Sequence, residues 1–270
     1  MANFSSSPST SPSFFCSSVW IMEAAVDNGN PKELAELMHQ QESGWTLLSQ
    51  ACATGKDSVI PLLLAHPDID VNAKDVNGWT PLLWACRFGF PSCVRELLKD
   101  PRVKLNEFRH GGFTPLWYAA NHGELDVIKW WIASGREMDL GTPGKWGDVI
   151  GMAKKFRKTE VVTLLERFKS DTAQTRHAMR VELGWYDEAA AEMFALVVFI
   201  SDELLQIKDT KITTPAARFF DIARSLPLEL QMVLCHRLVG SPKETVQGRD
   251  SEVAFKELAE RLLWPLVFTV

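Results

Sequence analysis

Tyrosine is nearly missing from this chain: 270 residues hold two, beside ten tryptophans and fifteen phenylalanines. Cysteine is scarce too. The five thiols are scattered with no C-x-x-C pair, which argues against a disulfide framework and a zinc site. A reducing, intracellular compartment is expected, with the cytoplasm first and the nucleus as the alternative. Positive charge is not in surplus: 29 Lys and Arg face 34 Asp and Glu, a net −5, whereas a dedicated nucleic-acid binder shows a basic excess on its binding face. Long hydrophobic runs are missing as well. The longest, Met193 to Ile200, covers eight residues, where a bilayer span needs about twenty. The segment MANFSSSPSTSPSFFCSS has neither a basic n-region nor a proper apolar h-region, so no secretory signal is expected there.

Catalytic signatures do not occur either. There is no G-x-S-x-G, Walker loop, glycine-rich dinucleotide turn or H-E-x-x-H, and the six histidines are scattered. Gly141-Thr142-Pro143-Gly144-Lys145 lacks the spacing of a phosphate loop and the hydroxyl residue after its lysine. Pro143 also removes an N–H donor, so the segment reads as a turn. No catalytic residue, metal ligand, cofactor or small-molecule substrate is expected.

What is present is ample apolar material, 46% of residues against 23% charged, enough to exclude global disorder. At about 100–200 residues per domain, the length suits one large domain or two modest ones. Tryptophans recurring at fixed spacing can mark a repeat. Gly44-Trp45-Thr46-Leu47-Leu48, Gly78-Trp79-Thr80-Pro81-Leu82 and Gly112-Phe113-Thr114-Pro115-Leu116 are three copies of one phrase, at a constant step of 34 residues. Ala51, Ala85, Ala119 and Ala153 keep the same step, as do Gly55, Gly89 and Gly123.

The phrase has a physical logic. Thr46, Thr80 and Thr114 suit helix N-caps, because a hydroxyl can accept an orphan backbone N–H. Pro81 and Pro115 then fall at the first helical position, where a missing N–H costs nothing. Ala51-Cys52, Ala85-Cys86 and Ala119-Ala120 are small residues for close helix packing, which also accounts for the equivalent Cys52 and Cys86. The following glycines end a short helix by allowing a left-handed backbone. A second helix follows, with Val59, Ile60, Leu63 and Leu64 at helical spacing.

This pattern resembles the ankyrin repeat, with its turn, Thr-Pro-Leu-His-x-Ala phrase and two antiparallel helices. The resemblance covers about Trp20 to Lys169. The family's histidine is replaced by Ser49, Leu83 and Trp117, which removes the usual local hydrogen bond of that side chain. The resemblance implies an all-α ankyrin-repeat solenoid, without catalytic chemistry, that binds a partner protein. Residues 20–42 and 146–169 read as atypical end units, since each end of a stack faces water. About five units, two of them caps, are therefore expected over 19–169, a span that should fold without the rest. The Ser/Pro-rich residues 1–18 read as a disordered leader. Residues 170–270 show no 34-residue period and read as a helical C-terminal extension, with helices near 173–183, 188–207, 215–225, 227–239 and 250–264.

Candidate contact residues follow from the register. Trp45, Trp79 and Phe113 fall once per repeat at the base of the projecting turn, which the resemblance places on the concave binding side. An aligned aromatic row there would serve as a hot spot; the competing reading is that the rings pack on one another. Arg87, Phe88, Asn121 and His122 end the inner helices, and Val76, Asn77 and His110 lie in the turns. Family members often contact partners through such positions, although solvated surface explains them too. Arg87 is expected in water, and Trp130 to need a cover. Lys154, Lys155, Arg157 and Lys158 read as a solvated cap face. In the extension, Leu226-Pro227-Leu228-Glu229-Leu230, followed by Val233, Leu234 and Leu238, is similar to the opening of an F-box. That likeness implies an alternative: a substrate adaptor of a ubiquitin ligase. It ends at the polar run Ser241 to Glu252.

Overall fold

A computed structural model describes residues 45–66, 69–109, 112–141, 148–202, 204–205 and 215–267. The leader 1–18, the capping pair expected over 20–42, His110, and most of the Gly141–Lys145 turn lie outside the described residues. The chain divides into two compact units, the first ending at Arg167 and the second covering Phe168–Leu266.

The first unit is a series of helix pairs: α1 (Leu47–Thr54) with α2 (Ile60–Ala65), α3 (Pro81–Phe88) with α4 (Pro91–Lys99), α5 (Pro115–His122) with α6 (Leu125–Ser134), and α7 (Val149–Lys155) with α8 (Thr159–Ser170). The leading helices α1, α3, α5 and α7 pack side by side in one row; α2, α4 and α6 form a second row. Thr46, Thr80 and Thr114 cap the leading helices: each Oγ1 accepts a backbone N–H, from Ser49 (3.1 Å), Leu83 (3.3 Å) and Trp117 (3.3 Å). Where the family histidine is missing, Thr46 Oγ1 donates to Ser49 Oγ at 3.1 Å, while Leu83 is simply buried.

Gly89 shows why glycine recurs at the helix ends. Its φ of 68° is left-handed, and a Cβ built on it would collide with the Glu124 carboxylate of the next repeat. Phe90 lies over Gly55 and Lys158 over Gly123 in the same way. The demand that all three glycines share is the left-handed turn, with φ of 76° at Gly55, 68° at Gly89 and 86° at Gly123. The last pair departs from the pattern while keeping its register. Asp148 stands where the threonines stood, its Oδ1 accepting from the Gly151 N–H at 2.7 Å. Arg157 stands in the glycine position with φ 57°.

Apolar residues fill the space between the rows, among them Leu48, Ile60, Leu63, Leu97, Ile128 and Trp131, with Ala51, Ala85 and Ala119 at the helix contacts. Arginines tie successive repeats together. Arg102 donates to Leu64 O (2.5 Å), and Arg136 donates to Leu98 O (3.2 Å), Asp100 O (2.9 Å) and Val103 O (2.8 Å). The bonds to Leu64, Leu98 and Asp100 satisfy carbonyls at the C-terminal ends of the preceding helices; that to Val103 holds the turn that follows. Trp130 has a cover: the Arg95 guanidinium lies 5.1 Å from its ring centroid.

The second unit contains α9 (Thr172–Glu182), α10 (Trp185–Ser201), α11 (Pro215–Ala223), α12 (Leu228–Val239) and α13 (Gly248–Val267). Gly184, with φ 67°, separates α9 from α10. α10 stops at Ser201, short of the span its periodicity suggests, with Asp202 at its cap. Pro227 sits one residue before α12, in the cap position. α10 and α12 pack around Phe194, Val197, Ala223 and Cys235.

Candidate functional site

One difference between two consecutive turns shapes the surface: Asp75 in the first is Arg109 in the second. In the first, the Asp75 N–H donates to Trp79 O (3.0 Å), and Asp75 Oδ1 accepts from the N–H groups of Asn77 (2.8 Å) and Trp79 (2.9 Å). In the second, Arg109 takes the place of Asp75, and its N–H donates to Phe113 O at 3.3 Å. The Arg109 side chain crosses to the first turn, where Nε donates to Asn77 O at 3.0 Å.

Trp79 sits at the centre and is only 2% exposed. Its ring stacks on Trp84 (4.6 Å between centroids) and tilts against Tyr118 (4.9 Å). Two guanidiniums lie against it, Arg87 at 4.8 Å and Arg109 at 4.7 Å from the ring centroid. The expectation of an open aromatic row fails at this position. Trp84 and Tyr118, also 34 residues apart, fill the space between the turns and bury Trp79. Trp45 is half-buried and meets Trp84 edge-on at 4.8 Å; Phe113 is half-buried against Trp117 at 4.2 Å. The three rings are linked through Trp84 and Tyr118.

Arg87 does not sit in open water. It is half-buried, and burial lowers its pKa, with the Arg109 charge acting in the same direction. The guanidinium nevertheless stays charged at neutral pH. Phe88 stacks on Trp84 at 5.5 Å and is 46% exposed, while Val76 is 73% and Phe108 58% exposed. Asn77 contributes its carbonyl to Arg109. One repeat further on, His122 Nδ1 lies 2.9 Å from Tyr118 O, and Asn121 is half-buried with Oδ1 unpartnered. Val76, Asn77, Trp79, Arg87 and Phe88 thus gather about one centre, with Asn121 and His122 on the neighbouring repeat.

Sequence reasoning missed Arg109, Trp84, Tyr118 and Phe108. The signal was available for three of them. An Asp75/Arg109 mismatch in an otherwise regular register and an aromatic pair at positions 84 and 118 are both visible in the 34-residue alignment.

The other candidates carry no comparable arrangement. Cys52, Cys86 and Cys93 are buried, and burial pushes their thiols up, that of Cys93 to about 12. They are neutral, poor nucleophiles. Among the described residues no group of three or more His, Cys, Asp or Glu is placed to hold a metal ion. On the cap, Lys154 pairs with Glu166 at 2.7 Å. No helix among the described residues is long and apolar enough to cross a membrane.

A comparison with curated proteins returned no match. A family model described as ankyrin repeats, in three copies, matches residues 21–108 and 67–142. Domains of this kind generally mediate protein–protein interaction and are typically non-catalytic. The threonine caps, the left-handed glycines and the two rows of helices fit that match, and the matched part of the chain is a run of ankyrin repeats.

Proposed function

We propose that this chain is a non-catalytic interaction module that holds a partner protein on its concave face, formed by the leading helices and the turns. The observation that carries this reading is the set of exposed apolar side chains, Val76, Phe88 and Phe108, beside a bed of buried aromatic rings. Side chains with few rotors, already fixed by packing, lose little entropy when a partner covers them, and aromatic and arginine side chains dominate binding hot spots. The test is affinity purification with the full chain and with a Val76→Ser, Phe88→Ser, Phe108→Ser variant. Val76 and Phe108 are mostly exposed, where changes cost about 0.5 kcal/mol or less, and the change at Phe88 about 1 kcal/mol or less, so the variant should keep its circular dichroism and lose its specific partners. Retention of every partner would overturn the reading.

A second reading, a ubiquitin-ligase substrate adaptor, is favoured by one feature of the second unit. Leu228 (53%) and Leu230 (50%) stand exposed in the first turn of α12. If they dock a ligase scaffold, Leu228→Ser with Leu230→Ser should abolish co-purification of the scaffold while the repeats still capture their target.

A further inference from the structure

We infer that the surface around Arg87 and Arg109 selects an acidic segment of a partner polypeptide, an Asp or Glu next to an apolar residue. The guanidiniums take the carboxylate, and Phe88, Phe108 and Val76 take the apolar neighbour. This rests on the binding face proposed above and adds its chemistry.

The argument begins with charge balance. Arg87 and Arg109 lie against the same indole, 4.8 Å and 4.7 Å from its centroid. Among the described residues no carboxylate pairs with either. Other cations of the same unit are paired: Arg102 with Asp100 at 2.6 Å, Lys74 with Glu107 at 2.5 Å, Lys154 with Glu166 at 2.7 Å. Asp75, close in the chain, turns its Oδ1 into its own turn to accept two backbone N–H groups. Two like charges placed together without a counter-ion are unfavourable in the free protein, and a ligand carboxylate relieves that cost.

Geometry adds to charge. Guanidiniums are planar forks suited to bidentate carboxylate contacts, and stacking on Trp79 restricts their rotamers before a ligand arrives. Arg109 is held further by its bond to Asn77 O at 3.0 Å. The exposed Phe88 ring, its centroid 5.5 Å from the Arg87 guanidinium, supplies the apolar half of the site.

The test uses the full chain and three fluorescein-labelled peptides, in which Leu alternates with Glu, Gln or phosphoserine. Fluorescence anisotropy should show the Glu/Leu peptide binding about tenfold or more tighter than the Gln/Leu peptide. The advantage should shrink with rising salt. Arg87→Gln and Arg109→Gln should each remove the preference for Glu over Gln, with unchanged circular dichroism. Arg87→Lys and Arg109→Lys, which keep the charge and lose the fork, should each retain part of it and guard against a folding defect in the Gln variants. Equal binding of the Glu and Gln peptides, survival of the preference in both Gln variants, selection of phosphoserine alone, or binding of none of the peptides overturns the inference. If the Gln/Leu peptide binds as tightly as the Glu/Leu peptide and Phe88→Ser abolishes both, the face stands and only its carboxylate selection falls. If Phe88→Ser leaves every peptide's binding unchanged, the face itself falls.

Discussion

Replacing Trp79 with Ala removes a ring shared by Trp84, Tyr118, Arg87 and Arg109, all within 4.9 Å of it by centroid or guanidinium distance. Truncating a buried Trp costs about 3–5 kcal/mol. An independent route agrees: about 200 Å² of apolar surface at ~25 cal/mol per Å² gives ~5 kcal/mol. Each guanidinium contact adds about 0.5–1 kcal/mol. The expected loss is about 4–7 kcal/mol, set against a total stability of about 5–15 kcal/mol for an ordinary domain. Because each repeat is stable only against its neighbours, the damage should spread through the first unit. Urea denaturation followed by far-UV circular dichroism measures the loss directly. Phe88→Ala is the control, since Phe88 rests on the same Trp84 ring with its other side in solvent; it should cost about 1 kcal/mol or less. If Trp79→Ala stays within about 1 kcal/mol of the parent chain, the ring is not core, and the aromatic row returns as an open binding edge. If the calculation holds, a Trp79→Ala, Phe113→Ala chain loses partner binding because it unfolds.

Other perturbations check other parts of the fold. Gly89→Ala and Gly112→Ala should each cost about 1 kcal/mol by thermal melting, since both positions are left-handed, at 68° and 81°, and the Glu124 carboxylate in the path of a Cβ at Gly89 ends a flexible side chain that can swing aside; a much larger loss for Gly89→Ala would show that Glu124 is held in place. Arg157→Gly should stabilise the chain by about 0.5–1 kcal/mol, because a non-glycine residue at φ 57° carries left-handed strain that glycine does not; a lower melting temperature would contradict this. Arg136→Gln, which breaks bonds to three carbonyls, should cost about 2 kcal/mol in urea denaturation.

The parts of the fold that the sequence made legible are those governed by backbone rules. A threonine hydroxyl before a proline, a glycine eight or nine residues later and small residues between them specify one helix and its end almost without reference to the rest of the chain. The unusual end unit followed too, once Asp148 is seen to do for Gly151 what the threonines do elsewhere. The site was less legible, because burial depends on what fills the space from the next repeat. Nothing in the spacing of Trp45, Trp79 and Phe113 tells that Trp84 and Tyr118 interleave with them. Nor does the spacing reveal that Arg109 leaves its own turn for the preceding one. Side-chain direction across repeats is a tertiary fact, and periodicity alone does not carry it.

The repeats also separate structural positions from specific ones. Residues that agree between copies, such as Thr80 and Thr114 or Gly89 and Gly123, cap and end helices. Residues that disagree, Asp75 against Arg109, Arg87 against Asn121, Phe88 against His122, collect at one surface. Arg109→Asp tests what the disagreement is for. It restores the residue of the preceding copy, whose Oδ1 accepts two backbone N–H groups within its own turn. Those bonds are worth about 1 kcal/mol each. The change removes one contact with Trp79, worth about 0.5–1 kcal/mol, and the bond to Asn77 O, worth about 1 kcal/mol, so the net effect on stability should lie between zero and a gain of about 0.5 kcal/mol. Capture of the Glu/Leu peptide should fall by tenfold or more, because a guanidinium is replaced by a carboxylate that repels the ligand. Stability held or raised while binding collapses would mean that arginine at 109 serves a partner rather than the fold. A loss of more than about 2 kcal/mol would show instead that Arg109 is a structural strut between turns, and the difference between the two repeats would belong to packing.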